Sequence, residues 1–215
     1  MSLVFYCGSG SPYAWRVWLG LEHKALAYEL RMLSFSAEDL KTPEYVAVNP
    51  RRKVPAIVDD DFSLYESAAI LEYLDERYAD RGARLFPGDV RRRAVVRRMV
   101  QEVDQYFAAP MERIVDQVLF TPQENWNLER IARARATLAE ELANWEQTIR
   151  ADWLAGAEAS AADFSLYPLV ALTQRMQRRK PDLEVEAMLG PRVRAWMRRV
   201  EALPYLRKTW PPHWK

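Results

Sequence analysis

Short apolar runs and amphipathic helical segments alternate over the first 50 residues of the chain. Residues 3–7 are an apolar run that predicts a strand. Ser11 and Pro12 then precede apolar positions at helical spacing, which predicts a first helix. Residues 26–33 alternate well enough to predict a second strand, and a helical or irregular piece follows as far as Asn49.

A β-hairpin and another helix are predicted next. Pro55 opens the apolar run 55–58, where a residue that cannot donate to a ladder is tolerated as the first of a strand. The acidic turn 59–61 leads into residues 62–65, whose alternation predicts an antiparallel partner strand. Glu66 and Ser67 then precede apolar positions that share one helix face, namely Ile70, Leu71, Leu74 and Tyr78. The resulting order, β-α-β-α-β-β-α, predicts a thioredoxin-like α/β domain over residues 1–80.

Beyond residue 89 the pattern predicts helices alone. Residues 90–119 read as one long helix, which we expect to bend at Pro110. Ser160 and Asp163 form a capping-box variant before a helix that is apolar on most sides, so that helix is expected at the centre of a bundle. Further apolar spacings predict helices around residues 128–149 and 193–203. We therefore predict an all-α helical-bundle C-terminal domain over residues 89–215, after a linker at 81–88.

Composition and charge narrow the classes of function. The net charge of +1 argues against a general polyanion binder, and no apolar run is long enough for a transmembrane helix. The N-terminus has no signal-peptide pattern, and the single cysteine, Cys7, fits a reducing compartment, so we expect a cytoplasmic protein. With His23 and His213 as the two histidines, no metal site is expected. The sequence contains no glycine-rich phosphate loop and no nucleophile–histidine pair close in sequence.

Two features of the hairpin region suggest ligand binding. A cis Val54–Pro55 peptide bond would turn the N–H and C=O of Val54 away from the sheet, towards a peptide-like ligand. Glu66 and Ser67 at a helix start combine a carboxylate, a hydroxyl and unpaired backbone N–H groups. That combination suits a ligand that carries both an amine and a carboxylate.

These pieces together resemble the glutathione-binding half of the glutathione S-transferases. The matching parts are N-P-x-x-K-V-P at residues 49–55, the acidic hairpin turn, and Glu66–Ser67 opening a helix. The resemblance implies that Val54, before cis-Pro55, holds the cysteinyl backbone of glutathione, while Glu66 and Ser67 hold its γ-glutamyl end. Many family members have Gly where this chain has Arg52.

Ser11 is the candidate catalytic residue. A serine before a proline at a helix start is also an ordinary N-cap. The sequence S-P-Y-x-x-R-V from residue 11 resembles the serine-type transferases, in which this hydroxyl points at the glutathione sulfur. Both roles are compatible for one hydroxyl. Tyr6 and Ser9 are neighbouring alternatives, and Cys7 is expected to pack as a small hydrophobe on the strand.

The resemblance also implies less specific binding residues. Lys41 resembles the lysine that some serine-type classes direct at the glycyl carboxylate, and Lys53 is placed by the motif, although both also fit exposed surface lysines. The electrophile site is expected to be lined by Tyr13, Tyr106, Phe107, Met111 and Ile114, each of which could equally be core. The Trp-rich tail 210–214 is expected to pack on the surface rather than over the mouth of that site.

The predicted function is transfer of glutathione, a co-substrate, to a small apolar electrophile by a cytosolic detoxification enzyme. The Ser-x-x-x-Trp-Arg-Val start at Ser11 also resembles the glutathione-dependent maleylacetoacetate isomerases, although Pro12-Tyr13 replaces their usual Ser-Cys. A third alternative is a non-catalytic scaffold of the stringent-starvation type.

The helix that follows Glu66 is expected to be acidic on its exposed side, at Glu72, Asp75 and Glu76. The resemblance further implies a homodimer, in which this helix meets the arginine-rich start of the long helix. The arginines of that segment are Arg91, Arg92, Arg93, Arg97 and Arg98. A solvated face is the usual explanation for such a run, and no aromatic platform supports nucleic-acid binding.

Overall fold

The structure of the protein is a computed structural model that describes residues 2–214. Its chain forms two compact units. One unit contains the chain up to Pro87 together with the segment from Pro204 onward, and the other is Gly88–Leu203. In this division the segment from Pro204 onward, and most of the segment 81–88, belong with the N-terminal unit.

The first unit is built on a four-stranded sheet in the order β2-β1-β3-β4. The strands are β1 (Leu3–Gly8), β2 (Glu29–Leu33), β3 (Ala56–Asp59) and β4 (Phe62–Tyr65). β1 runs parallel to β2 and antiparallel to β3, and β3 pairs antiparallel with β4. The helices of this unit are α1 (Pro12–His23), α2 (Pro43–Val48), α3 (Ser67–Arg77) and α10 (Leu206–Thr209), with single 3-10 turns at Asp39–Lys41 and Pro212–Trp214. The thioredoxin-like prediction is confirmed.

Helices α1 and α3 pack closely against each other in the core of this unit. A Cβ added at Gly20 would lie 2.5 Å from Leu71 Cδ2, so a glycine is needed where the two helices approach. Leu71, Ile70 and Leu74 are completely buried on the face of α3 that was predicted to be apolar. Burial of each such side chain stabilises the fold by about 1.5–3 kcal/mol.

Asp75 corrects one detail of the sequence prediction. It was placed on the exposed acidic face of α3, but it is 1% exposed. Its carboxylate accepts hydrogen bonds from Lys24 Nζ, from the Arg84 guanidinium and from the backbone N–H of Leu85. The helical spacing placed this residue correctly beside Leu74, but it could not show that two basic residues converge on it.

The second unit is entirely helical over its described residues. Its helices are α4 (Val90–Glu102), α5 (Ala108–Phe120), α6 (Leu128–Thr148), α7 (Ala161–Arg179), α8 (Val185–Met188) and α9 (Pro191–Glu201). A π-helical turn at Val103–Phe107 joins α4 to α5, and single 3-10 turns lie at Gln123–Asn125 and Pro181–Leu183. The predicted all-α C-terminal domain is confirmed.

The long helix, for which a bend at Pro110 was predicted, is interrupted by the π-helical turn just upstream of that proline. Pro110 has no N–H to donate to the carbonyl four residues earlier, and its ring crowds that carbonyl. The carbonyl belongs to Tyr106, which lies within the widened turn. The π-helical turn therefore lies one turn before Pro110, the residue that accounts for it.

Helix α7 lies at the centre of this unit, as its apolar sequence predicted. Its residues from Ala161 to Thr173 are all buried. The predicted capping box is present, because Ser160 N lies 2.8 Å from Asp163 Oδ2. Asp163 also accepts from Leu154 N at 2.9 Å and from Trp196 Nε1 at 2.8 Å, so one carboxylate fixes the start of the central helix.

Candidate active site

Ser11 lies at the N-terminus of α1, immediately after the loop that follows β1. Its side-chain oxygen accepts a hydrogen bond from Ala14 N at 3.2 Å, which makes it the N-cap. The backbone N–H of Ser11 donates to Gly8 O at 3.0 Å. The side chain is half-buried, so the hydroxyl proton can still be donated to a bound ligand. The helix N-terminus adds a partial positive charge at the same place.

Gly8 is the point where three segments meet. A Cβ added at Gly8 would lie 2.6 Å from Phe35 Cζ and 2.7 Å from Val54 Cγ2, so both side chains pack directly on its backbone. Gly8 is three residues before Ser11. The structure therefore brings Val54 next to the loop that carries the candidate catalytic serine, and a side chain larger than hydrogen would separate them.

The register of the sheet places the start of β3, after Pro55, and the end of β4, before Glu66, at the same end of the sheet as Gly8. Ala56 pairs with Tyr6 of β1 on one side and with Tyr65 of β4 on the other. The residues just beyond these pairs are Pro55 and Glu66, while β1 continues to Gly8. The end of β1, the start of β3 and the end of β4 consequently lie side by side, although they are up to about 60 residues apart in the sequence.

The loop before Pro55 is held by side chains of α2 and its end. Asn49 Nδ2 and Tyr45 Oη both donate to Lys53 O, at 2.7 and 2.5 Å. Arg52 has φ +55°, a left-handed conformation that favours glycine. A glycine at position 52 would adopt this conformation without strain, and this chain adopts it with an arginine. The Val54–Pro55 peptide bond is cis, as predicted, and Val54 precedes the β3 ladder.

Glu66 and Ser67 form the start of α3. Glu66 is exposed and has φ +71°, while Ser67 is the first helical residue and is 8% exposed. The first intrahelical backbone bond runs from Ile70 N to Glu66 O, which leaves the earlier N–H groups of the helix without a helical acceptor. The predicted combination of a carboxylate, a hydroxyl and backbone donors is thus assembled in one turn.

The two predicted lysines have different surroundings. Lys41 forms an exposed ion pair with Glu38 on the preceding turn. Lys53 has its carbonyl oxygen fixed by two hydrogen bonds, while its side chain is exposed. The hydrogen bonds from Tyr45 and Asn49 therefore fix the backbone of Lys53, while its side chain keeps the conformational freedom of a surface residue.

The alternative activating residues have other partners. Tyr6 Oη lies 3.2 Å from Arg31 Nη1 as acceptor, and its ring packs against Tyr45 at a centroid distance of 5.5 Å. Cys7 is 2% exposed, and burial raises the pKa of its thiol to about 12, so it stays protonated at neutral pH. Ser9 Oγ shares a hydrogen bond with His213 Nδ1. Ser11 is the hydroxyl that lies at a helix N-terminus, and its backbone N–H is bonded to Gly8 O.

The predicted electrophile wall is corrected in part. Phe107, Met111 and Ile114 are at most 1% exposed, because they face the interior of the helical unit, so they offer no surface to a ligand in this structure. Tyr106 is 56% exposed and lines a groove of about 580 Å³ whose walls include Arg98 and Trp145. The sequence could not separate these cases, because Phe and Met at helical spacing do not show which side of a helix is covered.

Tyr13 keeps partial exposure in the first turn of α1. The Arg16 guanidinium lies 5.1 Å from the centre of its ring, a cation–π distance. Arg16 itself is completely buried.

Phe35 is a candidate that the sequence reasoning missed. Its side chain is 55% exposed although it packs on Gly8. A single aromatic residue in a polar loop after a strand was the only signal in the sequence. The structure adds the contact with Gly8 and Val54 that gives this position its interest.

Metal binding and membrane insertion can both be checked over the residues that the structure describes. Among residues 2–214, no three His, Cys, Asp or Glu side chains are arranged to hold a metal ion. No helix in this range combines the length and the apolar character that crossing a membrane requires.

Comparison with known proteins agrees with this geometry. Residues 10–77 match the family "Glutathione S-transferase, N-terminal domain" and residues 129–199 match "Glutathione S-transferase, C-terminal domain". The chain is 30% identical over 212 residues to glutathione S-transferase A of Pleuronectes platessa, which covers 96% of this chain and 90% of that protein. It is 29% identical over 178 residues to the maleylacetoacetate isomerase of Mus musculus, covering 81% of this chain and 79% of that protein.

A solved glutathione S-transferase from the Antarctic clam Laternula elliptica superimposes with a TM-score of 0.81 at 29% identity, over 100% of this chain and 94% of that chain. The chain therefore belongs to the glutathione S-transferase family, whose members are enzymes that use glutathione as co-substrate.

Proposed function

We propose that this protein transfers glutathione to a small apolar electrophile, with Ser11 stabilising the thiolate. The observation that carries the proposal is that Gly8, Val54 and Glu66 lie side by side at one end of the sheet. This end of the sheet combines three groups. They are a helix N-terminus with a hydroxyl, a backbone segment next to a cis-proline, and a second helix N-terminus with a carboxylate. Those three groups match the thiol, the peptide backbone and the γ-glutamyl end of glutathione.

Each end of glutathione has a proposed partner. Val54 pairs with the cysteinyl backbone, because it precedes the β3 ladder and its neighbour Pro55 is cis. Ser67 and the N–H groups of the first turn of α3 hold the γ-glutamyl carboxylate, and Glu66 holds its amine. Lys41 and Lys53 are proposed to attract the glycyl carboxylate, as exposed cations do over a short range.

The chemistry requires a thiolate, because the thiol form is a poor nucleophile with a pKa of about 8.5. Lowering that pKa to about 6.5 requires about 2.7 kcal/mol of preferential stabilisation of the anion. The Ser11 hydroxyl caps the N-terminus of α1, so its proton is free to be donated to the sulfur at the positive end of the helix. The sulfur then attacks the electrophilic carbon and a C–S bond forms. In a substitution the bond to the leaving group breaks and that group departs as an anion; in an addition the newly formed anion takes up a proton from solvent. Ser11 forms no covalent intermediate.

The electrophile is proposed to contact aromatic side chains. Of the five residues considered from the sequence, Tyr13 in the N-terminal unit and Tyr106 in the helical unit keep accessible surface, and each is kept by itself as a proposed contact. Phe35 is added in the N-terminal unit, because its exposed ring packs on Gly8 beside Val54. An aromatic surface next to the thiol favours small apolar substrates by removing their surface from water.

A second candidate is glutathione-dependent isomerisation of maleylacetoacetate. It is supported by Ser11, Trp15, Arg16 and Val17 at the helix start and by the mouse relative that carries that name. The departure lies at Pro12 and Tyr13, where the first turn of α1 carries a proline and a large ring. Conversion of the cis to the trans diketo acid without net consumption of glutathione would favour this candidate over conjugation.

We also propose that the protein is a cytoplasmic C2 homodimer that acts in detoxification. In this dimer α3 of one protomer meets α4 of its partner. Glu72 and Glu76 contribute negative charge on α3. Helix α4 carries the arginine run together with two exposed apolar residues, Val90 and Val95. A mixed apolar and charged surface of this kind is typical of an isologous interface.

The proposed function is tested by binding first and by reaction second. The protein should be retained on immobilised glutathione and released by free glutathione. It should then form a glutathione conjugate with at least one electrophile of a panel that contains an aryl halide, an isothiocyanate and an enone. Retention without turnover on any of these, or on maleylacetoacetate, would favour the non-catalytic scaffold. Absence of retention and of turnover contradicts the proposal.

A further inference from the structure

The C-terminal tail packs on the same loop that presents Ser11. The tail comprises residues 204–214 of the described chain and belongs to the N-terminal unit. Its last turn, Pro212–Trp214, follows α10 directly. Within residues 210–214, which were expected to pack on the surface, Trp214 is 5% exposed. Thr209, just before them, is completely buried.

Trp15 anchors the tail to α1. Its indole Nε1 donates to Thr209 Oγ1 at 2.9 Å, and both groups are buried. The rings of Trp210 and Trp214 meet the ring of Trp15 edge to face, at centroid distances of 5.3 and 5.4 Å. Such aromatic pairs contribute more than their buried area alone. Trp15 lies one helical turn after Ser11, and its backbone N–H donates to Ser11 O. The tail is therefore fixed to the helix that starts at Ser11.

His213 extends from this anchor onto the loop between β1 and α1. Its Nδ1 lies 2.8 Å from Ser9 Oγ, and the two share a hydrogen bond. A Cβ added at Gly10 would lie 2.7 Å from His213 Cε1 and 2.8 Å from its Nε2, so the imidazole ring rests on the Gly10 backbone. Gly10 has φ +84°, a conformation that also favours glycine. The ring thus covers both residues that connect Gly8 to Ser11.

We propose that His213 is a positioning residue for the reaction, holding the Ser9–Gly10 loop so that the Ser11 hydroxyl faces the glutathione sulfur. This inference rests on the proposed role of Ser11. Two contacts fix the Ser11 side of the loop, namely Ser11 N to Gly8 O and Ala14 N to Ser11 Oγ. The Ser9–His213 contact is the side-chain constraint on the other side of Gly10, and it comes from a residue 204 positions away in the sequence.

A positioning role has a measurable consequence for the thiolate. Hydrogen bonds and helix termini stabilise an anion only when they are aimed at it, and a small displacement of a catalytic group can reduce the rate by a large factor. Loosening the loop should therefore raise the pKa of the bound thiol and lower kcat. The affinity for glutathione should change little, because Val54, Glu66 and Ser67 belong to other segments.

The test compares His213→Ala, His213→Asn and Ser9→Ala with the wild-type protein. We expect His213→Ala and Ser9→Ala each to lower kcat roughly 3- to 10-fold, the range that loss of one hydrogen bond produces. His213→Asn should recover most of the rate, because its amide places a polar atom near the position of Nδ1. The double variant should be no slower than either single variant, since both remove the same contact. The pKa of bound glutathione, followed by the ultraviolet absorbance of the thiolate, should rise in both alanine variants.

Arg207→Ala is the matched control, because Arg207 lies in the same tail with an exposed side chain. It should keep the wild-type rate and thiol pKa. If His213→Ala does not fold, Ser9→Ala still tests the contact with the whole tail in place. Wild-type kcat and thiol pKa in Ser9→Ala overturn the inference. If Ser11→Ala is slow in the same assay, the proposed function stands and the inference alone fails. If Ser11→Ala is also unaffected, the role of Ser11 falls, and the inference falls with it.

Discussion

Lys24 Nζ lies 3.3 Å from Asp75 Oδ1, and both side chains are buried. The same carboxylate accepts two hydrogen bonds to Oδ2 from Arg84, from Nε at 3.0 Å and from Nη2 at 2.8 Å. It also accepts from Leu85 N at 2.7 Å. One acidic residue of α3 thus ties the end of α1 to the segment that follows α3. A buried lysine without this partner would be an uncompensated charge.

Asp75→Asn is expected to lower the free energy of unfolding by about 3–5 kcal/mol, the usual cost of breaking a buried ion pair by removing one partner. Denaturant unfolding followed by circular dichroism measures this change. Asp61→Asn is the matched control, because Asp61 is exposed on the hairpin turn and should change stability by less than about 0.5 kcal/mol. Equal stabilities for the two variants would show that the Lys24–Asp75 contact contributes nothing.

The pH dependence of stability gives a second test of the same cluster. Burial by itself raises the pKa of Asp75, but Arg84, the Leu85 N–H and Lys24 more than offset it, so the pKa lies below its usual value. A depressed pKa in the folded state contributes stability that is complete above the unfolded pKa of about 4. That contribution is lost as the pH falls through the folded pKa. The difference in stability between the wild type and Asp75→Asn should therefore shrink below about pH 4 and stay constant between about pH 5 and 8.

Ser67→Ala is expected to weaken glutathione binding by roughly 10- to 150-fold, because a hydrogen bond to a charged group contributes about 1.5–3 kcal/mol. Titration calorimetry measures the affinity. Ser63→Ala is the control, since Ser63 is exposed on β4, four residues earlier, and should bind like the wild type. An unchanged affinity in Ser67→Ala would remove the γ-glutamyl end from this helix start.

The proposed dimer predicts a sedimentation coefficient of a dimer at micromolar concentration and low salt. Charges at the rim of an interface are screened by salt, so higher ionic strength should raise the dimer dissociation constant without abolishing the dimer. Arg91→Glu, at an exposed position of α4, should weaken the dimer by a few-fold at low salt and less at high salt. A monomer at micromolar concentration and low salt contradicts this arrangement.

The order of elements followed from the sequence because each signal is local. Ser11 before Pro12 marked a helix start, and an acidic turn between two apolar runs marked the hairpin, so α1 and the β3–β4 pair were predicted within one or two residues. The capping box at Ser160 and Asp163 was also readable, because both of its partners lie within one helical turn.

What the sequence could not show depends on contacts between distant residues. Asp75 reads as one more exposed acid until Lys24 and Arg84 are seen around it. Phe107 and Met111 have the same helical spacing whether they face a core or a pocket. The Ser9–His213 contact joins positions near opposite ends of the chain, and no local pattern marks either of them.

Asp163→Ala is expected to lower the free energy of unfolding by at least about 3 kcal/mol. The reason is that Leu154 N, Ser160 N and Trp196 Nε1 would lose their acceptor while buried, and each unsatisfied donor costs about 1–3 kcal/mol. Thermal and denaturant unfolding measure this loss. Glu140→Ala, at an exposed position of α6 in the same unit, should stay within about 0.5 kcal/mol of the wild type. A small loss in Asp163→Ala would mean that the cap is replaced by water.

The most direct test of the account is the pH–rate profile of Ser11→Ala. The account predicts a slower conjugation rate at neutral pH, an almost unchanged affinity for glutathione, and a rate deficit that shrinks at high pH, where the thiol ionises without help. A mere helix cap would instead cost about 1 kcal/mol of stability and leave the pH profile of kcat in place. Wild-type turnover with the wild-type pH profile in Ser11→Ala would contradict the central claim that this hydroxyl stabilises the thiolate.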